Sequence, residues 1–339
     1  MKLVRFGDKD KEKPGLIDPE GNMRDLSDYF SDFTHEGVSL TTLEKIKNVD
    51  YNKLPKVPRT SRLGSCLADT PNFYCIGLNY ANHAKETNAD IPKEPIVFSK
   101  ATTSINGPND DVIIPKGSVK TDWEVELGVI IGKICQYVSE KDALSFVSGY
   151  CIVNDVSERS YQFDRGGQWI KGKSAQTFAP IGPFLVTAEE IENPQNLNLQ
   201  LKLNNKVVQK SNTSDMIFTV SQIISHLSHF MVLRPGDIIP TGTPEGVGIG
   251  MKPPVFLKDD TDYCIVITPA GNSKNYKCYV AKLGDFDLGS TNIISKQPAV
   301  GSLFLSADGK TYTESQDIDL STKLLRIRKK MNQKLLFTL

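Results

Sequence analysis

Two glutamates, Glu124 and Glu126, lie two positions apart inside the apolar run DWEVELGVII of residues 122–131. If this run is a β-strand, both carboxylates project from one face, while Val125 and Leu127 project from the other. Two like charges held side by side among apolar residues are costly unless something neutralises them, and a hard divalent cation with oxygen ligands does so. The pair therefore indicates either a metal site or the solvent-facing edge of a strand.

A third acid, Asp155, follows the apolar run YCIVN of residues 150–154. A carboxylate in this position is expensive unless it has a partner. Three carboxylates suit Mg²⁺ or Mn²⁺ better than zinc, which prefers histidine or cysteine, and no histidine lies nearby in the sequence. We therefore predict that Glu124, Glu126 and Asp155 bind Mg²⁺ or Mn²⁺.

Cationic and amide side chains follow Asp155 after a short interval. Arg159 and Gln162 lie in SERSYQ, and Lys173 lies in GGQWIKGKS. Such donors suit a substrate that carries a carboxylate. The spacing leaves two interpretations of Lys173 open, because it could approach the metal-binding carboxylates or be a solvated surface lysine.

A histidine and a glutamate, His83 and Glu86, stand three apart where a predicted strand gives way to a short turn of helix, so they share a helical face. An imidazole held by a carboxylate is a suitable general base to activate water, although a structural or surface pair is the more common case. Farther on, the loop TGTPEGVG of residues 241–248 could bring backbone N–H groups and Thr243 to a carboxylate or enolate oxygen. Taken alone, this motif indicates only a tight loop.

Short β-type runs separated by turn residues dominate the chain and predict a mainly β fold with a few helices, of the α+β class, rather than regularly alternating β and α units. The predicted strands cover residues 2–6, 15–18, 73–78, 96–99, 112–114, 124–131, 150–156, 182–186, 197–203 and 237–240. Helices are predicted at 139–146, with Ser139 as the cap, and at 219–231. Asn204-Asn205 predicts a two-residue hairpin turn.

The composition predicts three segments. Residues 1–61 form a small N-terminal domain and a linker, because Pro55 and Pro58 disfavour regular structure at its end. Residues 62–258 form the main domain. Residues 259–339 form a C-terminal extension that is partly β, with strands predicted at 262–268, 275–283 and 302–306, a hairpin turn at 307–310 and a basic segment at 323–334.

Charge and cysteine content narrow the class of protein. The 40 Lys and Arg residues balance 40 Asp and Glu residues, so the chain lacks the electrostatic footprint of a nucleic-acid or membrane-surface binder. The six cysteines contain no CxxC pair and are typical of buried, reduced thiols. No apolar run approaches the roughly 18 residues that a membrane span needs. We expect a cytoplasmic protein that acts on a small molecule.

An ordered series of motifs adds a resemblance to these arguments. NYANHAKE, DWEVELGVIIG, NDVSER, GGQWIKGKS, FAPIGPFLVT, SNTSDMIF, PGDII and TGTPEGVG occur in the order seen in the fumarylacetoacetate hydrolase family. The similarity runs from about Arg62 to Lys258, and the first 60 residues are similar to the variable first domain of that family. GGQWIKGKS with TFAPIGPFLVT resembles the branch of ureidoglycolate lyases and hydrolases of 2,4-diketo-3-deoxy sugar acids.

The resemblance implies a rolled, mixed β-sheet catalytic domain, a homodimer, and Mg²⁺ or Mn²⁺ on the three acids already singled out. It implies a hydrolase that cleaves a carbon–carbon bond in a small 2,4-diketo, acylpyruvate-like acid. A lyase or decarboxylase using the same site is the alternative reaction, and a non-catalytic metal-binding homologue is the alternative class. The implied roles are water activation by His83 oriented by Glu86, charge stabilisation by Lys173, and binding of substrate oxygens by Arg159, Gln162 and Thr243.

The chain departs from the family pattern at two places. Ser160 stands where relatives carry an acidic residue after the arginine. Beyond Lys258, residues 259–339 replace the short ending of relatives. The first two predicted strands of this extension could replace the family's terminal hairpin, with Gly271-Asn272 at their turn. The extension could also be a separate module, or the product of a disrupted reading frame that removes a strand from the catalytic domain.

Overall fold

The computed structural model describes residues 1–204, 206–258, 261 and 263–269, and strands outnumber helices in it. The strands are β1 (Lys2–Phe6), β2 (Lys13–Ile17), β3 (Met23–Asp25), β4 (Tyr74–Gly77), β5 (Ile96–Ser99), β6 (Ile105–Asn106), β7 (Thr121–Asp122), β8 (Val125–Ile131), β9 (Val147–Asn154), β10 (Ser157–Glu158), β11 (Ala179–Thr187), β12 (Leu197–Leu203), β13 (Lys206–Asn212), β14 (Ile238–Pro240) and β15 (Tyr263–Pro269). The helices are α1 (Leu40–Lys47), α2 (Ala81–Glu86), α3 (Arg159–Phe163), α4 (Ile170–Lys173) and α5 (Val220–Phe230). The predicted mainly β fold with a few helices is confirmed.

The main sheet has the strand order β14-β8-β9-β11-β1-β2-β3, and β6 pairs with β11 in parallel at one end. Its central strands β8, β9 and β11 are buried along their whole length. This burial explains why their sequences read as near-continuous apolar runs. Close packing requires glycine at Gly149, where a Cβ would lie 2.2 Å from the carbonyl oxygen of Val186.

A smaller sheet, with the order β13-β12-β15, packs beside the main one. Alternate leucines of β12, among them Leu199 and Leu201, are buried in the same core cluster as Val125 and Leu127 of β8. The predicted two-residue connection between β12 and β13 is confirmed, because Leu203 pairs with Lys206 across it.

The two predicted helices have different outcomes. The helix predicted at 219–231 is confirmed as α5, and a reciprocal capping box between Thr219 and Gln222 marks its start. The helix predicted at 139–146 is wrong, because only Ala143–Phe146 forms a helical turn, of 3₁₀ type. Ser139 caps the turn before this 3₁₀ segment, because its hydroxyl oxygen accepts from the N–H of Asp142 at 3.3 Å. The hydrogen bonds of so short a segment do not offset the free-energy cost of helix nucleation before the chain enters buried β9.

The N-terminal strands join the main sheet. Lys2 pairs with Val186 and Leu3 with Leu185, so β1 lies antiparallel to β11. The division of the chain at residue 61 stays a prediction. Residues 112–114, predicted as a strand, have no strand pairing, and the N–H of Ile113 instead donates to Oγ1 of Thr177 at 2.7 Å.

One predicted strand of the C-terminal extension is confirmed. Residues 262–268 correspond to β15, which pairs antiparallel with β12 from Leu203↔Tyr263 to Leu197↔Pro269. The predicted strands at 275–283 and 302–306 and the turn at 307–310 lie outside the described residues. Within the described ranges, none of the helices has the length and apolar character that crossing a membrane requires.

Candidate metal centre and catalytic site

The three acids predicted to bind a metal converge at one end of β8 and β9. Val125 pairs with Asn154 in this antiparallel pair, so Glu124, directly before β8, and Glu126, within it, lie beside Asp155, which directly follows β9. One carboxylate oxygen from each acid lies within 4.8 Å of the others, and all three residues are buried. The register of two hydrogen-bonded strands thus assembles the cluster.

This cluster fits a hard divalent cation. Its donors are three carboxylate oxygens, which is the ligand chemistry that Mg²⁺ and Mn²⁺ prefer. Burial raises the pKa of Glu126 well above its usual value, and the neighbouring charges of Asp155 and Glu124 raise it further. The N–H of Gly242 donates to Glu126 at 2.8 Å. A cation would supply the charge that this buried carboxylate needs.

Lys173 is buried against two of the acids. Its Nζ lies 2.7 Å from Oε2 of Glu124 and 2.7 Å from Oδ2 of Asp155, so the surface-lysine interpretation is wrong. Burial lowers the pKa of Lys173, but Asp155 and Glu124 outweigh that effect and leave it above its usual value. Helix α4 places the lysine here because Gly172 lets it pack against α3, where a Cβ would lie 2.6 Å from the backbone nitrogen of Gln162.

Arg159 is a buried cation on the other side of Glu124. Its Nη2 lies 2.7 Å from Oε1 of Glu124, and its Nε donates to Oδ2 of Asp122 at 2.8 Å. Its Nη1 donates to Oε1 of Gln162 at 3.0 Å, so the two predicted substrate-binding residues are in contact. Burial raises the pKa of Glu124, but Lys173 and Arg159 outweigh it and hold that pKa well below its usual value.

His83 and Glu86 form the predicted pair on α2. Nδ1 of His83 lies 3.4 Å from Oε2 of Glu86, and His83 is buried. The backbone N–H of Gly246 donates to both oxygens of Glu86, at 3.0 and 3.1 Å, and fixes that carboxylate. The loop that carries Gly246 also donates from the Gly242 N–H to Glu126, so one loop contacts both this pair and the three clustered acids.

Thr243 lies beside β8, and its hydroxyl already forms two hydrogen bonds. Its Oγ1 donates to the carbonyl oxygen of Val125 at 3.0 Å and accepts from Nε2 of Gln209 at 2.9 Å. The loop of Thr243 is therefore hydrogen-bonded to the backbone between the two glutamates. Its role in binding substrate stays a prediction.

Two charged residues of the site were not predicted from the sequence. Lys100, at the end of β5, donates from Nζ to Oδ1 of Asp155 at 2.6 Å and to the carbonyl oxygen of Val156 at 3.1 Å. Asp122 accepts from Arg159 and from the N–H groups of Gly248 and Ile249 at 2.7 and 3.0 Å. The sequence indicated these residues only weakly, because Lys100 follows an apolar run and Asp122 directly precedes WEVE. No spacing rule relates either residue to partners so distant in the chain.

The departure at Ser160 leaves Arg159 in place. The hydroxyl of Ser160 donates to Oε1 of Glu158 at 2.5 Å, and the same carboxylate oxygen accepts from the Ser160 N–H at 3.2 Å, which caps the start of α3. Arg159 is held instead by Asp122 and Glu124. An acid after the arginine is therefore unnecessary for its position.

Comparisons with known proteins show which family and fold this chain resembles. The family model described as fumarylacetoacetate (FAA) hydrolase C-terminal matches residues 72–275. A Burkholderia lata protein with a provisional hydrolase name is 54% identical over 259 residues, which cover 76% of this chain and 92% of that protein. Two solved structures are also similar. The fumarylacetoacetate hydrolase of Exiguobacterium antarcticum has a TM-score of 0.74 at 31% identity and covers 84% of this chain and 100% of its own.

The second solved structure is the maleylpyruvate hydrolase of Sphingobium sp. SYK-6, in complex with manganese(II) and pyruvate. It has a TM-score of 0.67 at 27% identity, and the match covers 84% of this chain and 100% of the hydrolase. Both structures share the fold described above.

Proposed function

Because the chain belongs to the fumarylacetoacetate hydrolase family, we propose that it is a metal-dependent hydrolase that cleaves a carbon–carbon bond in a small 2,4-diketo acid. The observation that carries this proposal is the meeting of three groups. A buried cluster of three carboxylates lies beside a histidine–carboxylate pair and a buried lysine. A metal site that served only stability would not need the second and third of these.

Glu124, Glu126 and Asp155 would hold Mg²⁺ or Mn²⁺. When bound, the ion supplies Lewis acidity at the α-keto acid end of the substrate. The manganese and pyruvate in the Sphingobium structure support this choice of metal and of substrate end.

His83 is assigned to activating water. Its Nδ1 faces Glu86, so we assign the ring proton to that nitrogen and the role of base to Nε2. Nε2 takes a proton from water as the water oxygen adds to the 4-keto carbon. The bond between C3 and C4 then breaks, its electrons pass into an enolate, and a proton returned to C3 completes two carboxylic acid products.

The remaining polar side chains are assigned to charge and orientation. Lys173, whose ammonium already contacts two of the acids, stabilises the negative charge that develops on the substrate. Arg159 and Gln162, which are in contact, hold substrate oxygens. Thr243 contributes to the same task together with the N–H groups of its loop.

The same proposal extends to the state of the protein. We propose a cytoplasmic homodimer whose residues 62–258 form the catalytic domain, with 1–61 before it and 259–339 after it. Four of the five described cysteines are buried, which suits reduced thiols in a reducing compartment.

Turnover of a substrate panel tests the reaction. The panel holds acylpyruvates, a 2,4-diketo-3-deoxy sugar acid, oxaloacetate and ureidoglycolate, each with Mg²⁺, with Mn²⁺ and after EDTA. We expect metal-dependent cleavage of a diketo acid. Turnover of oxaloacetate or ureidoglycolate alone would replace the hydrolase by a decarboxylase or lyase. No turnover by folded, metal-loaded protein would favour a non-catalytic homologue.

A further inference from the structure

Gln209 lies on strand β13 of the smaller sheet. Both polar atoms of its side-chain amide form hydrogen bonds with the backbone and the loop beside the metal-binding acids. Gln209 is 1% exposed. Its Oε1 accepts from the N–H of Val125 at 3.0 Å. Its Nε2 donates to Oγ1 of Thr243 and to the carbonyl oxygen of Pro244, both at 2.9 Å. Val125 is the residue between the two glutamates of the cluster, so this contact lies at the centre of the site.

The backbone of β8 changes partners at this point. Its neighbour β14 pairs with it only as far as Pro240↔Gly128, and the N–H of Thr241 then donates to the carbonyl oxygen of Leu127 at 3.0 Å. At Val125, on the same edge of β8, hydrogen bonds from side chains replace those that a neighbouring strand would make. The Gln209 amide accepts the Val125 N–H, and the Thr243 hydroxyl donates to the Val125 carbonyl oxygen.

These side-chain hydrogen bonds matter because the Val125 backbone is fully buried. A buried N–H without an acceptor is costly, and loss of the Gln209 acceptor would leave the peptide unit between Glu124 and Val125 held only by the Asp155 N–H, which donates to the Glu124 carbonyl oxygen at 2.9 Å. Rotation there would change the directions of Glu124 and Glu126, which are attached to the adjoining peptide units. Metal ligands depend on such supporting hydrogen bonds for their orientation.

A second contact shows that β13 packs tightly against the loop of Thr243. A Cβ on Gly246 would lie only 2.0 Å from the carbonyl oxygen of Val208, the residue before Gln209. Gly246 itself has a φ of +96°. Two consecutive residues of β13 therefore touch the loop, so its position and that of the strand are linked.

We propose that Gln209 is a positioning residue that fixes the directions of Glu124 and Glu126 and thereby couples the β13-β12-β15 sheet to the metal centre. The coupling begins in the C-terminal extension, because β15 pairs with β12 along its length and β12 pairs with β13. This proposal rests on the proposed function for its purpose, but the coupling itself is a property of metal binding and not of turnover.

The test compares Gln209→Met, which keeps the length of the side chain but removes its hydrogen bonds, with two controls in the full-length protein. Gln200→Met makes the same change on β12 at a partly exposed position. Leu43→Ala lowers stability from the other core cluster, away from the site. The readouts are Mn²⁺ affinity by electron paramagnetic resonance, hydrogen exchange of the peptide that contains Val125, and urea unfolding.

For Gln209→Met we expect Mn²⁺ binding weakened by about 10-fold or more and faster exchange at Val125. Both controls should bind Mn²⁺ as the unaltered protein does. Gln209→Glu keeps an acceptor for the Val125 N–H, so it should recover slow exchange and most of the Mn²⁺ affinity. Gln209→Leu, which also lacks the amide, serves in place of Gln209→Met if that variant does not fold. Unchanged Mn²⁺ affinity in Gln209→Met or its substitute, or an equal loss in Leu43→Ala, would overturn the proposal.

These readouts separate this proposal from the proposed reaction. Weakened Mn²⁺ binding in Gln209→Met by a protein that turns over no diketo acid would leave the coupling standing and remove the hydrolase. Diketo acid cleavage with unchanged metal affinity in Gln209→Met would keep the hydrolase and remove the coupling.

Discussion

Nζ of Lys100 lies 2.6 Å from Oδ1 of Asp155, and both side chains are completely buried. The other carboxylate oxygen of Asp155 faces Lys173, so two lysines hold one acid. Lys100 has a second bond, to the carbonyl oxygen of Val156, which fixes it to the backbone. We infer that Lys100 is the permanent counter-ion of Asp155, whereas Lys173 is the lysine available to a substrate.

Replacing this counter-ion should destabilise the metal-free protein. Lys100→Met leaves a buried carboxylate with less compensation, and breaking such a pair costs about 3–5 kcal/mol. Because Lys173 remains, we expect a loss near the lower figure in urea unfolding after EDTA. Lys120→Met, which breaks the exposed pair with Asp164, is the matched control and should cost less than about 1 kcal/mol. Equal losses in the two variants would show that the buried pair contributes no more than an exposed one.

Removing the proposed base should affect hydrolysis and spare metal binding. His83→Ala is expected to lower kcat for a diketo acid by about 10²- to 10⁴-fold, because water then lacks a positioned base. Mn²⁺ affinity should change little, since His83 is not among the three clustered acids. His229→Ala is the control, because Nδ1 of that residue contacts the carbonyl oxygen of Ser225 on α5. An undiminished rate in His83→Ala would rule out this role.

Metal binding should release a proton from Glu126. Burial, then Asp155 and Glu124, raise the pKa of Glu126 above its usual value, so the metal-free site retains a proton there as pH rises past that value. A metal must displace this proton, so its affinity should increase with pH until the raised pKa is passed. Calorimetry of Mn²⁺ binding in two buffers of different ionisation enthalpy, repeated over a range of pH, should show proton release that declines as pH rises through the raised pKa. Glu126→Gln should abolish that release and weaken binding by at least about 10-fold. Equal release from both proteins would assign the proton to another group.

Strand β15 should be an integral part of the fold. Ile265 is completely buried, pairs with Leu201 and belongs to the core cluster that contains Val125. Ile265→Ala should therefore lower the free energy of unfolding by about 2–5 kcal/mol in urea titrations. Thr268→Ala, at a partly exposed position of the same strand, should cost much less. A negligible loss in Ile265→Ala would mean that this strand does not pack on β12 in solution.

The sequence alone determined that Glu124 and Glu126 would share one face, because its information is local there. Alternation along a strand places Glu124 and Glu126 on one face whatever the rest of the chain does. The same holds for His83 and Glu86 within one helical turn. Helix α5 was predictable for a similar reason, since its capping box and apolar spacing lie within its own residues.

Only the tertiary structure decided which distant residues complete the site. Lys100 reaches Asp155 across 55 positions and Gln209 reaches Val125 across 84, and no local rule specifies such pairings. Burial was undetermined for the same reason, so the sequence left Lys173 as either a surface lysine or a site residue. A buried charge is tolerated only where opposite charges surround it, and those charges are brought together by strand pairing that the whole chain produces.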